Sequence, residues 1–230
     1  MSTVILDRIP FEIDMALLLK NLHIKEGSDP AARVARLVES AKAVARPKAV
    51  YTVAYVETKD DNSMIIDGIK FTSRVLRVNL EDAYRVFPYV ITSGTEIEEW
   101  SQSITDIFDN FCADAIKEMI MRSARHHVFA EIDEKYGLAH AAVMNPGSLA
   151  DWPIKEQKNL FALLGDTKES IGVQLTDSCL MLPIKTVSGM RFPKEGTYEN
   201  CQLCPRKDCP GRKAPYDKDL YNEKYKVKDK

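Results

Sequence analysis

The sequence predicts an α+β fold, a mixed or antiparallel sheet with long helices, followed by a cysteine-rich C-terminal tail. Three observations predict it. Runs rich in β-branched residues and runs with helical apolar spacing alternate irregularly, which excludes a simple doubly wound sheet. Over 230 residues, 45% hydrophobic and 29% charged side chains allow a sizeable core without disulfide staples. Three of the five cysteines, Cys201, Cys204 and Cys209, fall within one short stretch.

The elements follow in order. Ile13, Leu17, Leu18 and Leu22 predict a short amphipathic helix, and Glu26-Gly27-Ser28 a turn. Asp29-Pro30 starts a second helix, because proline loses no hydrogen bond in a first turn; Val34, Leu37, Val38, Ala41 and Val44 continue it until Arg46-Pro47. Strands are predicted over 49–56, over 64–71 with a break at Asp67-Gly68, and over 84–92. The longest helical pattern opens at Thr95 and steps at three and four through Ile97, Trp100, Ile104, Phe108, Cys112, Ile116 and Ile120. Cys112 belongs to its core stripe, and His126-His127 to its C-terminal end. Then come a strand over 138–144, a helix over 152–164 stopped by Gly165, and strands over 171–175 and 180–190, with Pro183 restricting the last to an edge or bulge. The divisions expected are 1–92, an N-terminal α/β subregion; 93–192, a core; and 193–230, the tail.

The net charge of −2, from 32 basic and 34 acidic residues, gives no electrostatic case for nucleic acid or a membrane surface. Lys224, Lys226, Lys228 and Lys230 suit a solvated chain end. The first ten residues lack the apolar run of a signal peptide, and no stretch approaches the roughly 18 apolar residues of a membrane span. A cytoplasmic location is expected, where cysteines favour metal over disulfide.

The Cys201-x2-Cys204-x4-Cys209-Pro210 spacing is the strongest chemical signal. Thiolates are soft ligands, and three so close suit an iron–sulfur cluster or zinc. A zinc knuckle would need histidine at 209 and cysteine at 214, where Ala214 stands; a zinc ribbon would need a second Cys-x2-Cys pair. Cys179 is the candidate fourth ligand. The other candidate site is the strand-to-helix loop Asn145-Pro146-Gly147-Ser148-Leu149-Ala150-Asp151-Trp152, where Gly147 allows close backbone approach and Trp152 offers a stacking face. No catalytic triad, Walker loop, dinucleotide fingerprint or His-Glu-x-x-His motif is present.

Three segments carry a resemblance. Asp151-Trp152-Pro153 with Gln157, the run Leu175-Thr176-Asp177-Ser178 to Val187-Ser188-Gly189, and Thr92-Ser93-Gly94-Thr95-Glu96 resemble the activation (reactivation) domain of cobalamin-dependent methionine synthase. The tail, completed by Arg212, is similar to that of stand-alone anaerobic members. The resemblance implies S-adenosylmethionine bound in a shallow groove, with Asn145, Pro146, Gly147, Asp151 and Trp152 in its loop and Glu96 at a helix start. It implies cobalamin held by a partner, a corrinoid protein or cobalamin-binding methyltransferase. Val143 stands where the family has an arginine for the ligand carboxylate, and valine makes no charge-assisted fork. The expected function is therefore an accessory to reductive cobalamin reactivation that uses an iron–sulfur cluster. The alternatives are the adenosylmethionine-binding activation subunit of a split methionine synthase, and a non-catalytic scaffold with structural zinc.

Overall fold

The computed structural model describes residues 3–195, 198–209 and 211–226. Pro210, Lys228 and Lys230 lie outside the described residues. Among those described, a short strand β1 (Val4–Leu6), missed in the sequence, precedes helices α1 (Met15–Asn21) and α2 (Asp29–Val44). Ser28 caps α2 by accepting from the Ala31 N–H.

The single strand expected over 49–56 is two, β2 (Lys48–Tyr51) and β3 (Ala54–Lys59). Both pair along one edge of the central strand β6 (Arg85–Thr92), between them, in a common register. Pro88 of β6 explains the gap. Its carbonyl accepts from Thr52, but it has no N–H to return. Between β3 and β6 lie the hairpin β4 (Ser63–Ile66) and β5 (Ile69–Thr72), turned at Asp67 and Gly68, whose φ values of 44° and 76° suit a two-residue turn. A helix α3 (Arg74–Asn79), also missed, follows them.

The pattern read as one helix from Thr95 is two, α4 (Thr95–Gln102) and α5 (Ile107–Tyr136). Asp106 caps α5, and Arg33 of α2 bridges Asp106 and Asp109 at 2.7 and 2.6 Å, fixing where the second helix starts. Lys117, nearly buried, ties α5 back to α4 through Glu98 and Ser101. α5 continues well past His126-His127 to a left-handed Gly137. Its buried residues Cys112, Ile116, Ile120, Ala124, Val128 and Ile132 recur every fourth position. Each such step overshoots a turn by about 40°, so the stripe winds roughly half-way round the helix. The first half of α5 therefore packs on α1, α2 and α4, and the second half on the sheet.

β7 (Ala141–Met144) is followed by the candidate loop, a single 3-10 turn at Ile154–Glu156, and α6 (Gln157–Leu164). The strand expected over 171–175 is the short helix α7 (Thr167–Ile171) plus β8 (Gln174–Leu175). The strand expected over 180–190 divides at Pro183 into β9 (Met181–Leu182), a hairpin partner of β8, and β10 (Thr186–Pro193). β10 runs between β6 and β7, and every strand pairing among the described residues is antiparallel. One sheet face carries Tyr51, Phe87, Tyr89 and Ile91 against α5. The other carries Val86, Met144, Met190 and Phe192 against α3, α6 and the tail.

Candidate functional site

Register builds the site. Tyr89 of β6 faces Gly189 of β10, and Arg191 faces Val143 of β7, all on the α5 side of the sheet. Asn145, just beyond β7, reaches across Gly189, and its amide donates to the Tyr89 hydroxyl at 2.9 Å and the Ser188 carbonyl at 2.6 Å. A Cβ on Gly189 would lie 2.6 Å from the Met144 carbonyl and 2.7 Å from the Tyr89 hydroxyl, so only glycine leaves room for this clasp. Phe129 of α5 stands edge-on to Tyr89, with centroids 5.0 Å apart.

Two arginines flank these rings. Arg191 lies 4.6 Å over Phe129 and forks onto Asp133, with its Nε 2.7 Å from Oδ1. Arg125, one turn before Phe129 on α5, makes no hydrogen bond or ion pair among the described residues. Burial pushes the Tyr89 hydroxyl up to about 12, against the opposing Asn145 hydrogen bond and the charges of Arg125 and Arg191. Tyr89 itself is fully buried, so the side chains that reach solvent here are the partly exposed Phe129, Asn145, Arg125 and Arg191: one aromatic edge, one amide and positive charge. This surface suits a planar, apolar-bodied ligand that carries a carboxylate.

The predicted loop residues are largely committed to structure. Gly147, at φ +83°, donates to the Trp152 carbonyl at 2.8 Å, and Leu149 bridges to Trp152, so the loop closes on itself. Pro146 is buried. Asp151 braces the start of α3, accepting from the Val75 N–H at 2.9 Å and from the hydroxyl of Ser73, the residue that caps that helix. Trp152, expected to offer a stacking face, is 0% exposed and packs among core residues including Met64, Leu76 and Met190. Its apolar neighbours on α3, β4 and β10 decided this, because a ring so large is stabilised far more by burial than by a loop surface. Glu96 belongs elsewhere. Burial works against its charge, but a 2.8 Å hydrogen bond from Lys48, together with its own backbone N–H, holds its carboxyl below the usual range.

The tail is anchored on the core at a few described side chains, while Lys224 and Lys226 are exposed, as expected. Tyr198 and Tyr225 are buried in the same core as Trp152, with Leu203, Cys204 and Leu220 against it. Arg74 donates to the Tyr225 carbonyl at 2.8 Å, and the Tyr221 hydroxyl stands 3.5 Å from Asp151. Arg212 draws the cysteine segment around itself, donating to the carbonyls of Cys201, Cys204, Arg206 and Ala214, while the Lys213 N–H points at the Cys201 sulfur at 3.4 Å. All five thiols are free. Cys179 does not join the tail cysteines: it is buried, at φ +65°, in the turn of the β8–β9 hairpin, with its N–H on the Thr176 carbonyl. Among the described residues no group of three or more His, Cys, Asp or Glu is placed to hold a metal ion. The four-cysteine ligand set expected from the sequence therefore does not assemble in this structure.

A family model described as vitamin B12 dependent methionine synthase, activation domain, matches residues 89–206, just over half the chain. The chain belongs to that family. The matched activation-domain segment runs from Tyr89 through the loop and β10 to the first two tail cysteines, and Cys209 and Arg212 lie beyond it. Among solved structures the fold is similar to a crystal structure of the MetH reactivation domain bound to AdoHcy, with a TM-score of 0.60 and 12% identity, covering 86% of this chain and 81% of that one. No curated protein matches the chain. Among the described residues no helix is long and apolar enough to cross a membrane.

Sequence reasoning found Asn145 but missed Tyr89, Gly189, Arg191 and Arg125 as its neighbours. A signal existed for two of them: Gly189 closes the resembling run that begins at Leu175, and Arg191 follows on the same face two residues later.

Proposed function

We propose that this activation domain binds S-adenosylmethionine on the α5 face of the sheet and supports reductive reactivation of cobalamin held by a partner corrinoid protein or methyltransferase. The observation that carries the reading is the Asn145–Tyr89 clasp over Gly189, beside Phe129 and two arginines. Further support is the family membership, and the AdoHcy bound by the similar MetH domain. S-adenosylmethionine, when bound, supplies the methyl group. The chain's own part is to bind and orient: Phe129 gives an apolar wall, Asn145 an amide that the buried Tyr89 hydroxyl holds in place, and the arginines a positive field. Isothermal titration with S-adenosylmethionine and S-adenosylhomocysteine tests it. Saturable binding of both is expected, and no heat at millimolar ligand overturns it.

A second reading concerns the tail. The Lys213 N–H aimed at the Cys201 sulfur is the kind of contact that stabilises a thiolate ligand, and Arg212 already gathers the backbone on which Cys201, Cys204 and Cys209 sit. An iron–sulfur cluster or a zinc ion there would have to draw the three thiols together, without Cys179. Anaerobic purification followed by iron, sulfide and zinc analysis decides it. Iron with sulfide, lost in Cys204→Ala, supports a redox centre; zinc alone supports a structural tail; neither overturns the metal reading.

A further inference from the structure

The fold does not draw three tail cysteines together, but it does draw two. Cys201 lies in the 3-10 turn Asn200–Leu203 and Cys204 closes it, with the Cys204 N–H donating to the Cys201 carbonyl at 3.3 Å. Side chains three residues apart eclipse one another in such a turn, because each residue advances the chain by a third of a circle. The rise of about 2 Å per residue sets the two α carbons about 6 Å apart, inside the roughly 4.4–6.8 Å that a disulfide spans. Cys209 lies outside the turn, beyond Pro205, and forms no ligand group with the pair among the described residues.

The turn is held from several sides. The Gln202 side chain accepts from the Glu199 N–H at 3.1 Å, and the Gln202 carbonyl accepts from the Asp217 N–H at 2.8 Å. Leu203 and Cys204 pack against the core, and Arg212 donates to the carbonyls of both cysteines. The two thiols differ in their surroundings. Cys201 receives the Lys213 N–H at 3.4 Å, a donor that suits a thiolate, whereas Cys204 rests against apolar side chains. Both are free and partly exposed.

We propose that Cys201 and Cys204 form a redox-active dithiol that exchanges with low-molecular-weight disulfides, Cys201 attacking and Cys204 resolving. The Cys201 thiolate attacks one sulfur of the disulfide, forming a mixed disulfide and releasing the first thiol. Cys204 loses its proton to water and attacks the Cys201 sulfur, releasing the second. The chain gives up two electrons and two protons, which the disulfide takes up as it becomes two thiols. This activity goes beyond the groove reading and does not rest on it, and it competes with a metal for the same sulfurs.

Metal analysis of the full chain as purified comes first. The chain is then equilibrated, with a chelator present, against graded ratios of reduced to oxidised glutathione, and its thiols are trapped by acid-quenched alkylation and mapped by peptide mass spectrometry. A Cys201–Cys204 disulfide should appear in one two-electron transition and disappear on adding excess reduced glutathione, with Cys112 and Cys179 unchanged. In Cys204→Ser the internal disulfide should be lost and glutathione should accumulate on Cys201; in Cys201→Ser it should reach Cys204 several-fold more slowly. Glutathione on each thiol of the wild-type chain without an internal disulfide, pairing of either with Cys209, or iron or zinc already bound to them overturns the dithiol. Equal rates in the two variants overturn the assignment of Cys201 as the attacking thiol. Titration of S-adenosylhomocysteine into the reduced chain reads the groove separately, so the two readings fail independently.

Discussion

Asn145 crosses the backbone of Gly189 so closely that no Cβ fits between them. This single contact joins the end of β7, the middle of β10 and the Tyr89 hydroxyl of β6. Gly189→Ala should therefore destabilise the fold by about 1–3 kcal/mol, the usual cost of overpacking, and weaken adenosylhomocysteine binding by displacing Asn145. Urea unfolding and isothermal titration measure the two effects. Full stability would mean that the strands shift to absorb the methyl group.

Asp151 and Trp152 should behave as structural residues. Asp151→Ala leaves the Ser73 cap of α3 without its hydroxyl's acceptor and the Val75 N–H without its own, costing about 1–2 kcal/mol in denaturant unfolding. Trp152→Ala should cost about 3–5 kcal/mol, as for other buried large side chains. Ligand affinity measured well below either midpoint should be unchanged. A loss of affinity in Asp151→Ala without a loss of stability would return that carboxylate to the ligand.

Thiol accessibility divides the cysteines. Cys201, Cys204 and Cys209 are partly exposed, whereas Cys112 and Cys179 are buried, and burial also pushes the Cys112 thiol up. Brief alkylation of the metal-free native chain, followed by peptide mass spectrometry, should label the three tail cysteines and spare the other two until unfolding. Early labelling of Cys179 would show that the β8–β9 turn opens.

Stability should fall at high pH. Burial holds both Tyr89 and Tyr225 up to about 12, although Asn145 and Asn79 respectively bond against the shift. The unfolded chain releases these protons near 10, so this contribution is complete below about pH 10 and is lost as pH rises towards the folded-state value of about 12. Tyrosinate absorbance and the circular dichroism of unfolding, followed together, should change in the same window. On the acid side the Lys48–Glu96 pair contributes above the ordinary carboxylate pKa, and that contribution is lost as pH falls through the lowered value of Glu96. Glu96→Gln should cost less than about 1 kcal/mol, because a third of its side chain is in water.

The sequence by itself determined what depends on local chemistry. Asp29-Pro30 started α2, Asp67-Gly68 broke the strand pattern over 64–71, Gly165 stopped α6, and the periodic stripe placed Cys112 in the core. The resembling segments fell on the start of α4, the loop and β10. Tertiary structure decided what depends on distant partners. Arg33 reaches from α2 to set the α4–α5 break, and Pro88 interrupts the strand opposite it. Trp152 goes inside because α3 and the tail supply its walls, and Cys179 stays apart from the tail cysteines because its hairpin packs elsewhere. The clasp itself is a product of register: residues 89, 145, 189 and 191 meet only when β6, β7 and β10 align beneath α5. Hydrogen bonding between strands and apolar burial act on residues far apart in the chain, and no local pattern encodes which of them will become neighbours.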